Sequence, residues 1–89
     1  MLSYVGTGTY GESNPNSLTF DFVPKVVMIR CDGDTNIFDA IYGMREVVTY
    51  SGDYVTVKWA KKTLSWYSVD DSWTQMNDAG DKYYVIAIG

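Results

Sequence analysis

The chain has 89 residues, 46% of them hydrophobic and 16% aromatic (8 Tyr, 3 Trp and 3 Phe), with a formal net charge of −4. That length fits one domain, residues 1–89, and rings that each bury about 150–250 Å² give it the material for a core, which excludes a disordered chain. The absence of histidine and the single cysteine exclude the common zinc sites, the Ser-His-Asp and Cys-His devices and any intrachain disulfide.

In chain order, Tyr4 to Gly11 (Y-V-G-T-G-T-Y-G) is glycine-rich and formally satisfies G-x-G-x-x-G. The dinucleotide fingerprint requires a helix directly afterwards, whereas Glu12-Ser13-Asn14-Pro15-Asn16 reads as loop. A strand whose bare backbone admits a close neighbour is the better reading. Leu18, Phe20 and Phe22 then alternate with Thr19 and Asp21 as a half-buried strand that Pro24 ends. Val26 to Ile29 is apolar on both faces, as a central strand would be, and Asp32 to Asn36 is turn chemistry.

Ile37 to Met44 carries no clear pattern, and Val47 to Tyr50 is strand-like before the hairpin connection Ser51-Gly52-Asp53. Val55, Val57 and Trp59 share one face of the next strand. Lys61-Lys62 marks a tight turn, and Leu64 and Trp66 share a face after it. Ser68 to Lys82 is the longest loop, and Tyr83 to Ile88 closes the chain as a strand apolar on both faces. No window supports a capped amphipathic helix. The expected fold is all-β, an antiparallel sandwich of six to seven short strands.

Few residues suggest chemistry. Asp32-x-Asp34-x-Asn36 imitates the start of a calcium loop, but Ile37 and Gly43 stand where an EF-hand needs Gly and Glu, so a polar hairpin is expected. Cys31 is expected as a small buried thiol. Asp70 and Asp71 are adjacent, and neighbours in an extended chain point to opposite sides, so they do not form a glycosidase pair. The other acids are scattered, and neither an enzyme, a metal site nor a cofactor is expected. Seven basic against eleven acidic residues provide no patch for a phosphate backbone, so nucleic acid is not an expected partner. The start Met1-Leu2-Ser3-Tyr4 lacks a signal-peptide pattern, and the longest apolar run, Tyr83 to Ile88, is far below the ~20 residues that span a bilayer. A soluble chain made in a cytoplasm, without membrane insertion, is expected.

Trp73, between Ser72 and Thr74 in the polar loop, is either a lid pinned back over the core, the favoured reading, or an exposed recognition residue. In the second case Trp73 would stack on a sugar ring while Asp70, Asp71, Gln75 and Asn77 took its hydroxyls.

Three segments go further. Tyr10-Gly11-Glu12-Ser13-Asn14-Pro15-Asn16-Ser17-Leu18-Thr19-Phe20-Asp21-Phe22-Val23-Pro24-Lys25 opens a pattern, Leu64 to Ser68 and Gln75 to Gly80 continue it, and Tyr83-Tyr84-Val85-Ile86-Ala87-Ile88-Gly89 closes it. This resembles a family of short C-terminal modules of tail and tail-fibre proteins from phages and prophages of Gram-positive bacteria. A wider similarity, through Phe20-x-Phe22 and the closing Ala87-Ile88-Gly89, is to H-type lectins. The resemblance implies an H-type-lectin-like sandwich that assembles as a homotrimer in a virion tail, beside other tail proteins, with a bacterial surface polysaccharide as ligand. The lectins' Asp-Arg-His sugar set is not matched, since the chain has no His. The architectural alternative is a trimerisation or capping module without a ligand. An oligomer also has a physical motive, because so small a chain cannot easily bury all its rings.

Overall fold

The computed structural model describes residues 2–89. Its strands are β1 (Leu2–Val5), β2 (Asn16–Thr19), β3 (Val26–Cys31), β4 (Ile37–Ile41), β5 (Glu46–Val48), β6 (Tyr54–Ala60), β7 (Thr63–Tyr67) and β8 (Lys82–Ile88). They form two four-stranded sheets, β1-β8-β3-β4 and β2-β7-β6-β5, with every pairing antiparallel. The all-β sandwich expected from the alternating pattern is therefore present, with eight strands rather than six or seven.

The additional strand is β4. Its inward residues, Phe38 and Ala40, are fully buried, but two of its three outward residues are isoleucines, Ile37 and Ile41. Apolar side chains on both faces erase the alternation that would have revealed it. The expected Leu18–Phe22 strand is shorter than its pattern, since β2 ends at Thr19. Phe20 donates its N–H to the Lys62 carbonyl at 2.9 Å, and its ring tilts against Phe22 at 5.9 Å. Phe22 in turn lies where a Cβ on Gly89 would have to go, so the chain's last residue rests on that ring.

Between the sheets, Val27, Ile29, Phe38, Tyr83 and Val85 meet Val47, Val55, Val57, Leu64 and Trp66. Trp66 is the pivot, with Phe38 at 5.2 Å and Tyr4 at 6.2 Å, and Tyr4 stacks on Tyr83 at 5.0 Å with an interplanar angle of 14°. Tilted and offset ring pairs of this kind add about 0.5–1.5 kcal/mol beyond their area burial. Lys61-Lys62 is the two-residue turn expected between β6 and β7, and Lys61 adopts φ +57°.

The two outer faces differ in kind. Across β2, β7 and β6 the register sets Ser17, Ser65 and Lys58 in one row and Thr19, Thr63 and Ala60 in the next, with the Thr19 and Thr63 hydroxyls 3.0 Å apart. Across β8, β3 and β4 the corresponding rows are Ile86, Met28 and Asp39, then Ile88, Val26 and Ile41. The first face carries hydroxyls beside Lys58, Val48 and Tyr54, and the second aliphatic side chains beside Asp39, Arg30 and Tyr84.

Candidate functional site

Four connections gather at one end of the sandwich: those between β1 and β2, β3 and β4, β5 and β6, and β7 and β8. The last, from Ser68 to Asp81, contains all five candidate sugar contacts. It is an ordered loop built around two buried amides, not a solvated one.

Gln75 is 0% exposed and Asn77 3%. The Gln75 Oε1 accepts from the Gly11 and Ser68 N–H groups at 3.0 and 2.8 Å, and its Nε2 donates to the Asn14 carbonyl and Asn16 Oδ1, both at 2.9 Å. The Asn77 Oδ1 accepts from the Thr7 N–H at 3.1 Å and Asn16 Nδ2 at 3.2 Å, while its Nδ2 donates to Thr7 Oγ1 and the Thr9 carbonyl, both at 2.8 Å. Each amide thus meets its full capacity of two donors and two acceptors. Gln75 and Asn77 do not reach the surface, and their polar atoms hold the β1–β2 connection against the β7–β8 connection.

The backbone is fitted to the same purpose. A Cβ at Gly6 would coincide with the Asp78 carbonyl oxygen, and the Gly8 N–H donates to the Asn77 carbonyl at 2.7 Å. The glycine-rich segment is therefore a track along which the 77–81 backbone lies, the close approach that its lack of side chains suggested. Three core rings reach up from below. The Trp66 indole N–H donates to the Gln75 carbonyl at 2.7 Å, the Tyr4 hydroxyl donates to the Met76 carbonyl at 2.8 Å, and the Tyr83 hydroxyl accepts from the Asp78 N–H at 2.8 Å. Burial raises both phenols above their ordinary range, Tyr4 further pushed by Tyr83 and Cys31, so both remain neutral donors or acceptors.

Trp73 is half-buried, and its indole N–H donates to Asp34 Oδ2 at 2.7 Å. Its carbonyl accepts from Asn36 Nδ2 at 2.7 Å. This is the pinned-back arrangement, with the ring tied to the β3–β4 connection. Asp71 caps the same turn by accepting from the Thr74 N–H at 2.7 Å, and Asp70 is exposed beside it. The loop thus brings Asp70, Asp71 and Trp73 to one turn at the surface, while Gln75 and Asn77 lie beneath.

The Asp32–Asn36 segment is the hairpin connection its composition suggested. Asp34 accepts from the Thr35 and Asn36 N–H groups at 2.6 and 3.3 Å. The Trp73 hydrogen bond, opposed by burial and aided to a smaller extent by those two, holds its carboxyl below the usual carboxylate range. Asn36 is buried and accepts from the Ile37 and Tyr50 N–H groups, so its side chain serves the loop. Cys31, Asp34 and Asp81 have ligand-type atoms within 4.8 Å of one another. Burial, then the charges of Asp81 and Asp34, push the Cys31 thiol up, so it stays protonated at neutral pH with its sulfur 3.8 Å from Asp81 Oδ2. A nucleophilic cysteine needs the opposite environment.

The residues that sequence reasoning missed are Asn16, half-buried, and Asn36, buried. They lie in turn-rich stretches where asparagine is commonplace, and their partners are far along the chain: Gln75 lies 59 residues from Asn16, and Trp73 lies 37 from Asn36. No family model, curated protein or solved structure matches this chain.

Proposed function

We propose that the chain is a structural, non-catalytic module of a phage or prophage tail fibre or baseplate, working as a homo-oligomer beside other tail proteins in the virion. One observation carries this reading: the residues that produce the resemblance to tail modules are spent on holding the domain together. Asn16 of the opening motif binds Gln75 and Asn77 of the second through its side chain, the Asn14 backbone carbonyl accepts from Gln75, and Phe22 of the first covers Gly89 of the last. A motif used in this way specifies a shape to be presented, and no reactive group is arranged by it. The architectural role is favoured over sugar binding because two of the five proposed sugar contacts are consumed inside the loop.

A second reading, contact with a host surface polysaccharide, retains Asp70, Asp71 and Trp73, which share one surface turn. Mass spectrometry of phage particles induced from the source strain tests the first reading. The chain is expected as a stoichiometric tail component whose coding sequence lies among tail-assembly genes, and its absence from purified particles overturns the proposal. Whole-cell binding by the purified protein tests the second reading. Binding lost in Trp73→Ala, with the fold intact, supports that turn as the contact, and undiminished binding excludes it.

A further inference from the structure

We propose that copies of this chain dock end to end, the basic end of one sandwich receiving the acidic end of the next. The inference rests on the assembly reading above and names the surfaces through which assembly occurs. The four connections gathered at the end that Gln75 and Asn77 hold together carry eight acids and no base. These are Glu12, Asp32, Asp34 and Asp53, with four more between Ser68 and Asp81. The three connections at the other end, Phe20 to Lys25, Tyr42 to Arg45 and Lys61-Lys62, carry four bases and one acid, Asp21. The ends thus bear −8 and +3 in a chain whose net charge is −4, and the strands hold the remaining +1.

The separation is not cancelled within the chain. Among the described residues the ion pair is Arg30 with Asp39, both on an outer sheet face, so the charges of the two ends have no salt-bridge partner. Lys82, which follows Asp81, turns over the Tyr84 ring at 5.2 Å on that same face. β6 and β8, seven residues each, hold the ends about 20 Å apart, beyond the Debye length of about 8 Å at physiological ionic strength. Each end therefore shows its own sign to a neighbour, while the far end is screened.

Charge complementarity selects a second copy as the occupant of the basic end. The acidic end carries apolar contacts as well: Val69, next to Asp70, is 73% exposed, and Tyr50, in the same connection as Asp53, 66%. The basic end meets these with exposed rings. Tyr42, 51% exposed, tilts on Trp59 at 5.2 Å. The Trp59 indole N–H donates to the Met44 carbonyl at 2.9 Å, which fixes the turn that carries Arg45. Opposite charges across such a contact steer encounter and set its orientation. Because two different surfaces meet, the contact is heterologous and repeats from copy to copy. Exposed ion pairs are individually weak, so a dissociation constant on the order of 0.1 mM is expected.

Sedimentation velocity over a concentration series tests the proposal on wild type and two triple variants. One reverses the basic end (Lys25→Glu, Arg45→Glu, Lys62→Glu) and the other the acidic end (Glu12→Lys, Asp32→Lys, Asp70→Lys). All six side chains are exposed, and near-UV circular dichroism confirms each fold. If a triple variant does not fold, the single substitutions Lys62→Glu and Asp70→Lys take its place, with the same direction expected. Wild type is expected to form species that grow past the dimer. Its dissociation constant should rise on the order of 10-fold between 0.1 and 1 M salt, as the Debye length shortens from about 10 to about 3 Å. Each reversal moves the charge by two, so the first variant stands at −10 and the second at +2. Both should weaken association on the order of 10-fold or more, whereas an effect of net charge alone would move them in opposite directions. Stronger association of the second variant than of wild type therefore overturns the proposal. So does wild type that stays a 10.0 kDa monomer to millimolar concentration, or that stops at a dimer. Association undiminished in both variants overturns end-to-end docking while leaving the assembly reading standing. Absence of the chain from phage particles removes the tail reading without touching the docking.

Discussion

The Trp73 indole N–H and the Asp34 carboxylate meet at 2.7 Å, joining the longest loop of the chain to the turn between β3 and β4. The bond holds Asp34 below its ordinary carboxylate range, and that depression fixes the sign of its contribution with pH. A folded-state value below the unfolded 3.8 means stability that is complete above the unfolded value and is lost as pH falls through the folded one. Asp34→Asn is therefore expected to be less stable than wild type at neutral pH, by about 1 kcal/mol or less for so accessible a group. The difference should vanish in acid. Urea unfolding monitored by tryptophan emission checks this, and an equal deficit at neutral and acid pH would show that the charge is not what matters.

Gln75 has four hydrogen-bond partners and no exposure, so truncating it leaves the Gly11 and Ser68 N–H groups without acceptors. Unpaired buried donors cost about 1–3 kcal/mol each. Gln75→Ala is expected to lower unfolding free energy by about 3 kcal/mol, and Asp70→Ala, which removes only an exposed carboxylate, by less than about 0.5 kcal/mol. Equilibrium denaturation of the two side by side checks the contrast. Equal losses would remove the claim that the amide is the keystone of the loop.

These two residues also show what the sequence discloses and what it does not. Val55, Val57, Leu64 and Trp66 declared their inward face by a period of two, because burial on one side of a strand is a local constraint. Gln75 and Asn77 had no such signature. A polar residue in a polar loop reads as solvated, and only partners about 60–70 residues away turn it into a core residue. β4 was hidden for the converse reason, since Ile37 and Ile41 put apolar side chains on its outer face as well as its inner one.

Thr74 is fully buried, and its hydroxyl has no hydrogen-bond partner among the described residues. Replacing an unsatisfied hydroxyl by a methyl group of similar size removes a desolvation cost of about 1 kcal/mol or more. Thr74→Val is expected to raise the melting temperature and to add about 1 kcal/mol of stability. A destabilised variant in thermal unfolding would show that the hydroxyl is satisfied in solution.

Lys61 holds φ at +57° in the two-residue turn between β6 and β7, while Lys62 is not in the left-handed region. A first turn residue alone in that region is the position where hairpins of this length favour glycine. Both lysines are exposed, so the side chain contributes little packing to offset the backbone strain. Lys61→Gly is expected to stabilise by about 0.5–1 kcal/mol, and Lys61→Val to destabilise by a similar amount. Denaturation midpoints at unchanged m-value check both directions.

Tyr4 and Tyr83, stacked at 5.0 Å, give the chain an alkaline limit. Burial raises both phenols above their ordinary 10.0, whereas in the unfolded chain they ionise normally. Their stabilising contribution is therefore complete below pH 10 and is lost progressively above it, because only the unfolded state then gains from releasing the protons. In a spectrophotometric titration Tyr4 and Tyr83 should ionise together, and only as the fold is lost. Tyr4→Phe should be less stable at neutral pH, through loss of the hydrogen bond to the Met76 carbonyl, and should lose less of its remaining stability at high pH. If Tyr4 and Tyr83 titrate reversibly with the fold intact, both rings are open to water and the stacked pair is not the closed floor of the loop.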